Sequence, residues 1–292
     1  MNDFILATVS TSDLPRKWME EHDIPFLPYT FVIDGKIYED DCREETKQNV
    51  YKAMREGSMP STSQIPLFTY EEFFRELLET GKDVLFLDMA RPMSSSIANC
   101  EEAIRRIEKK YPERRIVFFD TACITGGLAI LIMKMQELRE TGASLDEVYA
   151  YGQDLSKRIS HRFMVDDLQW LRRGGRLSNA SAIVGTLLSI KPLIYVKQDG
   201  TLFAYEKVRG RKKAVHRLIE TMADEMDPQD PPKEAWIWHA DCAQDAEDTA
   251  AAIKEKYPSV KDVHIYTEGP VIGAHVGPGF LAVLHIGTGR PE

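Results

Sequence analysis

The stretch FILATVSTSD, residues 4–13, sets a short apolar run, Phe4–Val9, directly against the polar cluster Ser10-Thr11-Ser12-Asp13. A run of this length without strict alternation suits a strand buried on both faces of a parallel sheet. Val84–Leu87 and Ile116–Phe119 repeat the pattern further along. Helical signals lie between and after them. Thr69 with Glu72, and Ser144 with Glu147, have capping-box spacing. After Gly126-Gly127, the residues Leu128, Ile132, Met135 and Leu138 recur at helical intervals as an apolar stripe. Strands alternating with helices predict an α/β domain on a largely parallel sheet, with helices on both faces.

The second half has a different rhythm. Pro192–Val196 and Leu202–Tyr205 flank Gln198-Asp199-Gly200, a hairpin signal that implies antiparallel pairing. Trp236–His239, Val263–Tyr266 and Phe280–Ile286 read as further strands, with helices near Arg211–Met222 and Asp245–Tyr257. The expectation is a mixed-sheet α+β domain over residues 159–292, following a parallel-sheet α/β domain over 1–158. Asp227–Pro232, with three prolines, is a surface loop.

A chain of 292 residues is long enough to enclose a ligand in its core. Its 37 basic and 46 acidic residues give a net charge of −9, which disfavours a protein built to neutralise nucleic-acid phosphates. Cys42, Cys100, Cys123 and Cys242 are far apart and show no metal spacing, as expected of free thiols in a reducing compartment. The start MNDFILATVS has no basic segment ahead of its apolar run, so no signal peptide is expected. The apolar stretch Leu128–Met135 is too short to span a bilayer. Together these features predict a cytoplasmic protein with no stable membrane insertion.

In an open parallel sheet, ligands bind beyond the carboxyl ends of the strands. Here those ends carry hydroxyls, at Ser10–Ser12 and at Met93-Ser94-Ser95-Ser96. A third cluster, Ser61-Thr62-Ser63-Gln64, lies between Pro60 and Pro66. Singly, each cluster is most simply a helix cap. Converging, they would form an anion site of hydroxyls and helix N-terminal amides. The segment from Gly269 to Gly279, GPVIGAHVGPG, reads as an irregular glycine- and proline-rich loop with His275 inside it. His275 is either a structural residue or a hydrogen-bond donor to an anion. No paired histidines or cysteines suggest a metal, and no P-loop or dinucleotide fingerprint is present. Two basic stretches stand out: Arg172–Arg176, and Lys207–Lys213 with five cations in seven residues. The second is either a solvated face or a docking surface for an acidic or nucleotide-bearing partner, through Arg209, Arg211 and Lys212.

These residues, in this order, identify a resemblance. The chain resembles the DegV family of bacterial lipid-binding proteins along essentially its whole length. The resemblance is carried by Ser10-Thr11 with Asp13-Leu14-Pro15, Gly35 with Tyr38 and Asp40, Thr62-Ser63-Gln64, and Asp167-Leu168 with Leu171–Ser178. It continues through Ile190-Lys191-Pro192, Asp199-Gly200, Lys207–Lys213 and the closing Gly269–Gly279 segment. It implies a two-domain α/β protein that holds a long-chain fatty acid between its domains. It further implies the non-catalytic binding subunit of a fatty-acid kinase, which presents the carboxylate to a separate kinase subunit and needs no cofactor. By position, the carboxylate would contact Thr62, Ser94, the backbone amide of Ser95 and, nearby, His275. Val9 replaces the family's usual aspartate, Ser95-Ser96 a common Gly-Thr pair, and Ile97 a usual tyrosine.

Energetics agree with such a ligand. Burying roughly sixteen carbons at about 0.8 kcal/mol per CH2 offers on the order of 12 kcal/mol before association costs. A buried carboxylate forfeits several kcal/mol unless it is hydrogen-bonded. Two hydroxyls, an amide and an imidazole would suffice, leaving the head group without a strong cation. The competing reading is a phosphotransfer enzyme with His275 as nucleophile or phospho-acceptor.

Overall fold

A computed structural model describes residues 4–176 and 190–292; Leu177 and Ser178 of the family stretch lie outside the described residues. The opening run forms β1 (Phe4–Val9), buried along its whole length. A 3-10 turn over Ser10–Ser12, with Asp13 at φ 57, leads through Leu14 and Pro15 into α1 (Arg16–Glu21). Three short strands follow that the sequence reading passed over: β2 (Phe26–Leu27), β3 (Thr30–Ile33) and β4 (Lys36–Glu39). β3 and β4 form a hairpin with Ile33 opposite Lys36. Its two turn residues, Asp34 and Gly35, lie at φ 50 and 77, the conformation a type I′ turn requires. After α2 (Glu44–Arg55), the hydroxyl cluster becomes β5 (Ser61–Ser63), an edge strand with Thr62 opposite Phe31 of β3.

α3 (Leu67–Leu78), β6 (Asp83–Asp88), α4 (Ser96–Glu108), β7 (Ile116–Asp120), α5 (Thr125–Glu140) and α6 (Leu145–Arg158) complete the first half. Its sheet is parallel throughout, in the order β2-β1-β6-β7. The Ser144–Glu147 capping box is present at the start of α6. The Thr69–Glu72 box is not. α3 is already under way at Leu67, behind Pro66, so Thr69 is its third residue and has no free first turn to cap. α5 is buried well beyond the predicted stripe, at Ala129, Ile130 and Leu131 as well as Leu128, Ile132 and Met135. The reason is that it packs on α6 and against strands of the second sheet.

That second sheet is mixed and six-stranded. Its strands are β8 (Ile159–Met164), β9 (Ile190–Val196), β10 (Leu202–Arg209), β11 (Glu234–His239), β12 (Asp262–Thr267) and β13 (Leu281–Ile286). The helices α7 (Gln169–Arg173), α8 (Arg211–Glu220), α9 (Ala243–Lys256) and α10 (Pro270–Val276) connect them. The order is β10-β9-β8-β13-β11-β12, with β9 and β10 antiparallel as the hairpin signal predicts, and only β11–β12 parallel. Period-2 alternation divides the two faces. Phe163, Ile194, Ala282 and Leu284 join the large core shared with α5 and the first half. Met164, Leu193, Leu281 and Val283 pack under α8 and α9. The Gly269–Gly279 segment is not an irregular loop. Pro270 opens α10 at its first position, where its missing N–H costs nothing, and Gly277 ends it at φ 75.

Candidate functional site

The site forms where the carboxyl ends of β6 and β7 face the second sheet across β5 and α10. β6 ends at Asp88, whose Oδ1 accepts from the Met89 amide at 2.7 Å and whose Oδ2 accepts from the Tyr70 hydroxyl at 3.1 Å. Full burial pushes this carboxyl up to about 7. The chain then makes a 3-10 turn, Arg91–Met93, before Ser94 and Ser95 lead into α4. Ser94 Oγ accepts from the Ser96 amide at 3.2 Å and bonds the Tyr29 hydroxyl at 3.0 Å. Ser95 sits at φ −75, ψ −4. Any residue adopts that conformation, so serine in place of the family's common glycine leaves the backbone unstrained. Ser96 Oγ accepts from the Ile65 amide at 3.1 Å, and Asn99 donates to Ile65 O at 2.9 Å. These two bonds tie the β5 edge to α4.

His275 occupies the last turn of α10, and its Nε2 lies 3.0 Å from Thr62 Oγ1. Burial, with the nearby Arg176 charge second, pushes the ring down to about 4. It is therefore neutral at physiological pH. The backbone of Gly174 lies so close that a Cβ there would stand 2.1 Å from His275 Nδ1; only glycine fits. From there the chain turns to place Arg176, which donates to Gly174 O and, through Nε, to Met93 O at 3.0 Å.

Thr62, Ser94, Ser95 and His275 all line one cavity of about 260 Å³. The rest of its wall is largely apolar, including Met89, Met93, Ile124, Phe163, Leu202 and Phe280. The half-buried Arg176 lines the same cavity, a cation that the sequence reading did not place in its wall. Sequence reading also missed Tyr29, which lines the cavity and orients Ser94. The signals were faint: Arg176 sits in a basic run, and Tyr29 follows the overlooked β2. The three partner candidates are not cavity-lining among the described residues. Arg209 and Lys212 are exposed. Arg211 is turned inward, pairing with Asp166 at 2.6 Å and with Asp245, and donating to Gly279 O at 2.6 Å. Among the described residues, no group of three or more His, Cys, Asp or Glu is placed to hold a metal ion, and no helix is long and apolar enough to cross a membrane.

A cavity lined by both polar and apolar side chains, together with a parallel-sheet and a mixed-sheet half, places the chain among two-domain α/β proteins with an internal pocket. Comparison with known proteins gives the family. A family model described as "uncharacterised protein, DegV family" matches residues 5–288, and the chain belongs to this family. A DegV domain-containing protein of Clostridium perfringens is 37% identical over 289 residues, covering 98% of each chain. Among solved structures, a DegV lipid-binding protein from Thermotoga maritima is 28% identical with a TM-score of 0.85, covering 99% of both chains. A DegV family protein from Thermus thermophilus, described by its fatty-acid binding, is 29% identical with a TM-score of 0.82, covering 98% of this chain and 99% of the other.

Proposed function

We propose that the protein binds one long-chain fatty acid in this cavity and presents its carboxylate to a separate kinase subunit. The observation that carries the reading is the convergence of Thr62, Ser94, Ser95 and His275 on one cavity whose remaining wall is mostly apolar. The fatty-acid binding of similar proteins supports it. Two hydroxyls and a neutral imidazole supply donors to the carboxylate, and Arg176 supplies a charge that stabilises it. The division into a head-group domain, 1–158, and a closing domain, 159–292, is part of the same proposal. The junction of α6 with β8, where the chain enters the second sheet, supports it. Phosphotransfer on His275 itself has less support. Its Nδ1 has no hydrogen-bond partner among the described residues, whereas a phospho-acceptor needs an orienting group there.

Native mass spectrometry of the gently purified protein, with exogenous fatty acid supplied, is expected to show one bound acyl chain. Only the apo mass would overturn the reading. For the partner role, Arg209 and Lys212 are the outward-facing candidates. Arg209→Ala is expected to leave fatty-acid affinity unchanged and to slow acyl-phosphate formation with a cognate kinase subunit, most strongly at low salt. An unchanged rate at every salt concentration would remove Arg209 from the interface.

A further inference from the structure

The cavity has polar atoms that the head group does not use. β8 alternates so that His161 and Phe163 face the large core, while Ser160 and Arg162 turn away to Glu225. His161 is 1% exposed and lines the cavity, yet neither ring nitrogen has a hydrogen-bond partner among the described residues. Thr125, the first residue of α5, is also 1% exposed and lines the cavity, with its hydroxyl close to the buried Glu268 carboxyl as well. The chain is shaped around the imidazole. Gly127, one turn into α5, lies where a Cβ would stand 2.7 Å from His161 Nδ1, so a larger residue there would displace the ring. Burial, then the charge of Arg290, pushes His161 down to about 3, so the ring is neutral.

We infer that His161 and Thr125 form a second polar point in the cavity that receives a hydroxyl borne on the acyl chain. The ligand class is then hydroxylated long-chain fatty acids; this rests on the fatty-acid reading. The chemistry selects the group. A neutral imidazole offers one donor and one acceptor, and the threonine hydroxyl offers both. A methylene satisfies neither nitrogen, and a ketone or ether accepts without donating. A second carboxylate would give up far more solvation on burial here than a hydroxyl does. A hydroxyl donates and accepts, which matches what each residue offers. Leaving such buried groups unpaired against a plain chain carries a penalty that a hydroxylated chain relieves.

The test is displacement of a fluorescent fatty acid from delipidated protein by octadecanoate and by hydroxyoctadecanoates with the hydroxyl at successive chain positions. At least one isomer is expected to bind about tenfold tighter than octadecanoate, which corresponds to roughly one well-made hydrogen bond. His161→Phe should abolish that preference while retaining octadecanoate binding. If this variant fails to fold, Thr125→Val, nearly isosteric, should reduce the preference instead. Equal affinity for plain and hydroxylated chains would show that water fills the polar point and would overturn the inference. So would a preference that survives both substitutions. Failure of octadecanoate and every isomer to bind would instead bring down the fatty-acid reading itself, and this inference with it.

Discussion

The side chains at the head-group wall do more than wait for a ligand. Ser94 Oγ holds the Ser96 amide and the Tyr29 hydroxyl, whereas Thr62 Oγ1 bonds the His275 ring. Thr62→Val and Ser94→Ala should therefore each weaken fatty-acid binding by about 1–2 kcal/mol, the usual loss of a hydrogen bond to a charged group. They should differ in stability. Ser94→Ala removes the acceptor of the Ser96 amide at the start of α4 and should lower the melting temperature, while Thr62→Val should barely move it. Wild-type affinity in both variants would place the carboxylate elsewhere. That Thr62, Ser94, Ser95 and His275 would come together was legible in the sequence, because each lies in a stretch whose residue types and order are specific, and all four line one cavity. Arg176 was legible as a cation but not as a cavity residue. Its position depends on Gly174 meeting His275 across 101 residues of chain, and nothing local encodes that.

Among the elements, those governed by short-range rules were readable and those governed by packing were not. The parallel strands, the β9–β10 hairpin and the α6 capping box follow from local composition. The β3–β4 hairpin had an equally local signal in Asp34-Gly35 that went unused. α10 misled because glycine and proline read as loop formers, although proline at the first position and glycine after the last are helix boundaries. Thr69–Glu72 misled in the opposite sense, since the spacing is right but Pro66 starts the helix earlier. The two boxes give a paired measurement. Ser144→Ala, which loses a bond to the Glu147 amide, should cost about 1 kcal/mol in urea unfolding. Thr69→Ala should change stability by less than about 0.5 kcal/mol. Similar losses for both would mean that Thr69 supports its helix in another way.

At the scale of the whole molecule, the two halves meet around a buried acidic cluster that no sequence pattern announced. Asp13 and Asp40 come from the first half and Glu268 from the end of β12, and all three are at most 1% exposed. Asp13 lies against the backbone of Gly269, at the entry to α10. Lys47 reaches across, donating to Asp13 O at 3.2 Å and to Thr267 O at 2.7 Å, and Tyr51 donates to Glu268 O at 3.0 Å. Burial, with the Asp13 charge second, pushes Asp40 up to about 7 and Glu268 well above the usual carboxylate range. Asp40 Oδ1 accepts from the Cys42 amide at 3.3 Å, but its Oδ2 has no hydrogen-bond partner among the described residues. The sign follows from proton binding. With a folded value above the unfolded one of about 3.9, the native state holds more protons between about pH 4 and 7. Asp40 therefore favours the fold fully below about pH 4, and this contribution is lost as pH rises through about 7. His161, His275 and His285 are pushed down to about 3, 4 and 4, so they act in the opposite direction, losing stability as pH falls below about 6.5. The wild-type profile mixes the two trends, and a difference between variants separates them. Asp40→Asn keeps the Cys42 bond and puts an uncharged amide beside Asp13. Relative to wild type it should be about 1–3 kcal/mol more stabilising at pH 8 than at pH 5, read from urea unfolding at both values. A variant that is less stable than wild type at pH 8 and matches it at pH 5 would show that the fold needs a charged Asp40, contrary to the burial argument.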